Sequence, residues 1–383
     1  MNWIQRRFPV VLTLAAIVVG LVGCATQPPA TTGSITVPLG STQRVTTLFS
    51  YPNCLDKCPT PPPTLEATVE HYFNLSVQRD GYLNAQVKVM SEGGQVYAAI
   101  SNVPADYSNV IQRFLKTGDL GYADAQKLKA AGKWQSDWYF FLPLGFAMRN
   151  NPTVQLLHFP PDTVMTQTQD YLQAATTKRW ASLLTVNGVP PAVTFSYQTI
   201  VDIAPIAAPA NAGSALEGVY DYFSDYTVEL LQQWTAYPDS SRPPKPMVAF
   251  GGPARAWLAQ EFKLPPVNVL TLTSIQPVAG RTVPVLGANH PSYIWYAADP
   301  KQYGGNVQKA DEVGLKVMNQ DLTASCWQAN MGGDPAGSPS AALDRCKQKW
   351  PANSVPACEL FYTSIRNLTQ AQAVAKCTTV GAM

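Results

Sequence analysis

Two short stretches carry the residue types most often used for chemistry: His158-Phe159-Pro160-Pro161-Asp162 and Asn289-His290-Pro291-Ser292. The second sets an imidazole, whose ordinary pKa lies near neutrality, beside a hydroxyl, and the first ends in a carboxylate after two prolines. Asp202, in a third apolar stretch, is a further candidate. Plain structural roles stand beside these. His290 before proline can close a strand end, Asp162 after two prolines can hold a turn or cap a helix, and Asp202 can be a buried acid satisfied by backbone donors.

Several other chemistries lack their residues. No Gly-x-Ser-x-Gly elbow supports a hydrolase nucleophile. No His-Glu-x-x-His helix is present, and Gly332-Gly333-Asp334-Pro335-Ala336-Gly337 lacks the lysine of a phosphate loop. That stretch reads as a surface loop, with Ser338-Pro339 as the cap and first turn of a following helix.

The chain has 7 cysteines and 3 histidines. Apart from Cys24, the cysteines are Cys54, Cys58, Cys326, Cys346, Cys358 and Cys377, an even set that reads as up to three disulfides with about 15 pairings. Cys54 and Cys58 are near enough to pair locally. The other four crowd the C-terminal tail, where two bridges would staple it. Zinc is the alternative, but Cys54-x3-Cys58 has no second pair at finger spacing.

Arg6 and Arg7, the apolar run after them, and Leu21-Val22-Gly23-Cys24 form a secretory signal pattern. The run is short for a transmembrane helix, which needs about 20 apolar residues. It resembles a bacterial lipobox, and the resemblance implies a signal peptide over 1–23, diacylation of Cys24 and, with Ala25 following, an outer-membrane anchor facing the periplasm. Residues 24–45, rich in Pro, Thr, Gly and Ser, are expected to be a tether reaching about 25 Å. Of the 27 Lys+Arg, two are Arg6 and Arg7; the rest balance the 25 Asp+Glu, so no overall basic excess favours nucleic acid.

Periodicity supplies the elements. A helix is expected from Thr64 to Arg79, a hairpin from Leu83–Met90 and Gln95–Ser101, and two helices over Tyr107–Lys116 and Tyr122–Ala131, the second closed by Gly132. The aromatic stretch Trp134–Met148 reads as core or domain interface, with a ligand platform as the alternative. From about residue 150, short apolar strands alternate with helices, the grammar of a parallel sheet. Strands are expected at Val154–Phe159, Phe195–Ile206, Met247–Phe250, Val267–Leu272 and Thr282–Leu286. Helices are expected over Gln167–Leu184, Leu216–Trp234, from Pro253, and through Leu315, Met318, Leu322 and Cys326. Trp257, Trp295 and Tyr296 are assigned to the core.

Pro246-Met247-Val248-Ala249-Phe250-Gly251-Gly252-Pro253-Ala254 and His290-Pro291-Ser292-Tyr293, in this order, resemble the strand–glycine-turn–helix and the His-Pro-Ser loop of the uracil-DNA glycosylase superfamily over roughly residues 150–330. The resemblance implies a nucleobase cleft in which His290 faces a base oxygen, Asp202 stands where an Asn reads the base edge, and Asp162 orients water. Phe159 would offer a stacking face, and Pro161, Asn289 and Ser292 would line the cleft. Breaking an N-glycosidic bond requires stabilising an anionic base. Here the first loop has two prolines and no glycine, which removes two N–H donors, and Asp for Asn sets a carboxylate beside that anion.

The expected fold is therefore α/β, three layers with a short parallel sheet over 151–330, an N-terminal α+β region over 46–150 and a disulfide-stapled helical tail over 331–383. The expected function is a largely non-catalytic module for a nucleobase-like or other small ligand, without cofactor or metal. An envelope interaction or immunity lipoprotein and a periplasmic N-glycosidic hydrolase are the alternatives.

Overall fold

Ile35, Val37 and Leu39 alternate with small and polar residues, and this alternation makes a strand of a segment whose composition suggests a tether. The computed structural model describes residues 33–49, 64–143, 151–162, 174–194, 197–236 and 241–380. The expected signal segment, Cys24, Cys54, Cys58 and Phe146 lie outside them. Strand β1 (Gly33–Ser41) buries Val37 and Leu39 completely and runs antiparallel to β3, so the tether assignment is corrected from residue 33 onward. Helix α1 (Thr42–Phe49) and α2 (Leu65–Arg79, capped by the Thr64 hydroxyl) follow, then the hairpin β2 (Gln86–Glu92) and β3 (Gln95–Val103).

Helix α3 (Tyr107–Ala130) is continuous, which corrects the expectation of two helices. Gly118 and Gly121 suggest a break in the sequence but are packing positions in the fold. A Cβ on Gly121 would lie 2.7 Å from the Tyr226 ring, and one on Gly118 would lie 3.2 Å from Leu142. Gly132 (φ +69°) closes the helix as expected. Trp138, Tyr139, Phe140 and Phe141 are buried. The short strand β4 (Tyr139–Phe140) pairs with residues 206–207 and ties the N-terminal region to the part of the chain beyond residue 150.

That part begins with β5 (Thr153–Leu157), α4 (Ala175–Val186), β6 (Gln198–Asp202) and β7 (Ile206–Ala207). The expected helix over Leu216–Trp234 is instead α5 (Gly213–Glu217), a 3-10 turn at Tyr220–Phe223 and α6 (Ser224–Thr235). Strand β8 (Met247–Phe250) runs directly into α7 (Gly251–Glu261). The strand expected at Val267–Leu272 forms later, as β9 (Leu272–Val278), a hairpin partner of β10 (Arg281–Ala288). The reason is local: the Asn268 carbonyl lies where a Cβ on Gly287 would be, at 2.2 Å, so the 267–271 segment crosses β10 as a loop. Helices α8 (Tyr293–Ala297), α9 (Val307–Gly333), α10 (Pro339–Lys349), α11 (Val355–Ser364) and α12 (Gln370–Val380) complete the chain.

The five-stranded sheet has the order β6-β5-β8-β10-β9, parallel except for the β9 edge. Parallel strands covered on both faces need apolar runs, and Met-Val-Ala-Phe in β8 is fully buried. Alternation divides the sheet between two cores. Val154, Leu156, Met247 and Ala249 join a core that also holds Leu230, Trp234 and the N-terminal region. Leu157, Val248 and Phe250 face Trp180 of α4 and Met318, Leu322 and Trp327 of α9. The protein is thus a mixed α/β fold, and the first core runs without a break across residue 150.

In the tail, Cys326–Cys346 and Cys358–Cys377 are disulfide-bonded, as expected. Each closes a loop of about 20 residues, a constraint worth roughly 2–4 kcal/mol. Ser338 caps α10, accepting from the Ala341 N–H. Among the described residues no helix is long and apolar enough to cross a membrane.

Candidate functional site

All four parallel strands end at the same edge, so the residues just after them meet whatever their distance in sequence. His158 follows β5, Gly251 follows β8 and Asn289-His290 follow β10; Asp202 ends β6. Strands β5 and β10 flank β8, so their backbones stand about 9–10 Å apart. The His158 and His290 rings nevertheless lie 5.0 Å apart, leaning towards each other over the end of β8.

Gly251 makes that approach possible. Its φ of +78° is left-handed, and a Cβ there would sit 3.3 Å from the His290 Cβ. Gly251→Ala should therefore cost about 1–3 kcal/mol and displace His290. Urea unfolding together with the histidine NMR shifts checks this; an unchanged His290 resonance would count against the glycine's role.

Local bonds fix His290. The Ser292 hydroxyl lies 2.5 Å from Nδ1, and the Ser292 backbone N–H donates to the same atom at 3.3 Å. With Nδ1 accepting, the neutral ring carries its proton on Nε2, which leaves that atom as the ring's donor. The Tyr293 N–H donates to the His290 carbonyl at 2.8 Å and closes the turn. Burial above all, then the positive charges of His158 and Arg179, holds the His290 pKa down to about 3. Burial lowers that of His158 to about 4. Both rings are neutral near pH 7. His158 Nδ1 is buried without a hydrogen-bond partner among the described residues.

Beneath the turn lies a buried ion pair. Arg179 Nη2 of α4 is 2.8 Å from Asp321 Oδ2 of α9, and the side chains are 9% and 0% exposed. Arg179 Nη1 donates to the Pro291 carbonyl at 2.8 Å, and Asn289 Nδ2 donates to Asp321 Oδ1 at 3.2 Å and to Gln320 at 3.0 Å. Burial raises the Asp321 pKa to about 6 against the opposing pull of Arg179 and Asn289. Two helices from opposite ends of the domain thus grip both sides of His290.

The double-proline turn is also held, in a way its sequence does not reveal. Prolines 160 and 161 lack donors, but the Pro160 carbonyl accepts from Ala208 at 3.2 Å, and the Asp162 N–H donates to the Ala208 carbonyl at 2.9 Å. Pro161 and Asp162 lie at this turn, both half-buried. Phe159 is buried with its ring 4.5 Å from that of His158.

Of the residues singled out in sequence, His290, Asn289 and Ser292 form one cluster, joined by Phe159 through His158. Asp202 is buried at the end of β6, paired with Leu157 of the neighbouring β5 and so one strand from His158, while its backbone is three strand spacings, about 14 Å, from β10. There its charge, after burial and Glu217, helps push the Tyr220 phenol pKa up. Trp257 is core as expected, but Trp295 and Tyr296 are 43% and 56% exposed, which corrects their assignment. Helix α8 has only five residues, too short to bury every apolar side chain it carries. Arg179 lies over the Trp295 ring at 6.0 Å. Sequence reasoning missed the pair of Arg179 and Asp321. Its only sequence trace is a carboxylate three residues after Met318, on the apolar stripe of α9.

No protein-family model, curated protein or solved structure matches the chain.

Proposed function

We propose that the histidine edge binds a small uncharged ring of the nucleobase type without turning it over, in a protein held at the outer membrane by lipid on Cys24. The carrying observation is the meeting of two neutral imidazoles 5.0 Å apart over a glycine strand end. A neutral Nε2–H suits a carbonyl acceptor, and the His158 and Phe159 rings offer flat apolar surface. Against turnover stands the carboxylate of Asp202, set where the resemblance implies an amide donor and unfavourable beside an anionic leaving base. The uracil-DNA glycosylase likeness rests on the two motifs and on their convergence at this edge.

Titration of uracil, thymine and adenine into the protein, followed by histidine NMR shifts, tests the reading. Saturable shifts at His158 and His290 are expected, with affinity falling at least tenfold in His290→Ala. No perturbation by any base would remove the nucleobase assignment. Free base released from uracil-containing single strands, lost in Asp162→Ala, would instead make the protein a hydrolase. The anchor is tested by Cys24→Ala, which should move the protein from membrane to soluble fractions.

A second reading has its own observation. Tyr293, Trp295 and Tyr296, 41–56% exposed within four residues, form an aromatic rim suited to an envelope protein partner. Under that reading Trp295→Ala abolishes partner capture while the nucleobase titration stays flat.

A further inference from the structure

A cavity lies along α9, reaching Leu270 in the loop that crosses β10 and Gln320, which also accepts from Asn289 beside His290. It has a volume of about 760 Å³ and follows one face of α9 from Lys309 through Val313 and Lys316 to Thr323, with residues 347–358 as its facing wall. That face is about 21 Å long. Leu270, Val313, Leu315 and Trp350 give it an apolar lining. Lysines 309, 316 and 347 sit around it, and Glu312 is the one acid among its lining residues. Glu312 already engages Lys309 at 3.0 Å, which leaves Lys316 and Lys347 as the cationic excess.

The walls are tied before any ligand arrives. Cys326–Cys346 joins α9 to α10, and Cys358, itself in the lining, is bonded to Cys377. Asn319 donates to the Pro351 carbonyl at 3.0 Å across the groove, and Trp350 donates to Asn187 at 2.9 Å. A preformed apolar cleft of this size is in the range used by small-molecule sites, and ordering costs little there.

We propose that this groove binds an amphipathic organic anion, with its apolar body along Leu270, Val313 and Trp350 and its acid group at Lys316 and Lys347. Charge decides the class: an apolar groove alone would take any greasy ligand, whereas the lysine excess favours a carboxylate or similar head over a neutral or cationic one. The site adjoins the histidine edge at Gln320 but does not rest on the proposed nucleobase binding.

Decanoate, kept below its micelle concentration, is the probe, titrated calorimetrically into the full-length protein. One saturable site is expected, with binding at least tenfold weaker for 1-decanol and undetectable for decyltrimethylammonium. The double variant Lys316→Gln/Lys347→Gln should weaken decanoate at least tenfold with an unchanged melting temperature, and Glu312→Gln should tighten it. Equal binding of decanoate and decanol, unchanged binding in the double variant, or no saturable heat would each overturn the proposal.

Discussion

Arg179→Ala should cost about 3–5 kcal/mol of folding stability at pH 7 and loosen the turn that carries His290. The magnitude comes from burial. Arg179 and Asp321 are 9% and 0% exposed, so removing the guanidinium strands a carboxylate where water cannot reach it. The exposed pair Lys309–Glu312, at 48% and 69%, belongs to the class worth under about 1 kcal/mol. The same substitution also deletes the donor to the Pro291 carbonyl, so His290 loses one of its two anchors. Without Arg179, only the Asn289 amide opposes burial at Asp321, and its pKa rises above the present value of about 6. The defect should then shrink at pH 5, where the variant's Asp321 is protonated in the folded state. Arg179→Met/Asp321→Leu should recover most of the loss, because an apolar pair of similar size leaves no charge unpaired. Urea unfolding of the three proteins at pH 7 and pH 5 measures this. A loss below about 1 kcal/mol for the single variant would mean that the pair is solvated despite its burial.

How much of this is legible in the sequence depends on how far each determinant lies from its partner. Met247-Val-Ala-Phe250 followed by Gly-Gly-Pro reads as strand, turn and helix because every determinant is local, and the structure has β8 and α7 there. The tail disulfides are legible because the cysteines are few and crowded. The loops after β5 and β10 are placed for the same local reason, and parallel strands then bring them to one edge. Misreadings arise where a distant residue decides. Gly118 and Gly121 look like a helix break until Tyr226 and Leu142 press against them from far along the chain. Residues 33–41 look like a tether because Pro, Thr and Gly dominate their composition, while the alternation of Val37 and Leu39 only acquires meaning beside β3. The buried pair under His290 joins α4 to α9, which no local pattern links. Its cost can be recovered only when tertiary packing supplies both partners at once.

Acidification provides the other large effect, and it acts through the two imidazoles themselves. Stability should fall as pH drops from about 6.5 towards 4. Burial keeps the folded-state pKa of His158 at about 4 and of His290 at about 3, against an ordinary 6.5. Between those limits the unfolded chain binds two protons that the folded chain refuses, so stability drops by up to about 1.4 kcal/mol per pH unit for each histidine. Above 6.5 neither state is protonated and the contribution is complete. Asp321 works in the opposite direction: its folded-state pKa is raised from 3.8 to about 6, so across that interval the folded chain takes the proton first and acid favours it. At pH 5 the histidines together cost about 4 kcal/mol and Asp321 returns about 1 kcal/mol, so the histidines prevail. Urea midpoints at pH 7, 6, 5 and 4.5 should therefore decline more steeply for the native protein than for His158→Gln/His290→Asn. All other carboxylates act equally in both proteins, and the difference between the two curves isolates the imidazoles. Parallel curves would show that water reaches the rings, and with that the neutral, desolvated edge on which ligand binding depends would be lost.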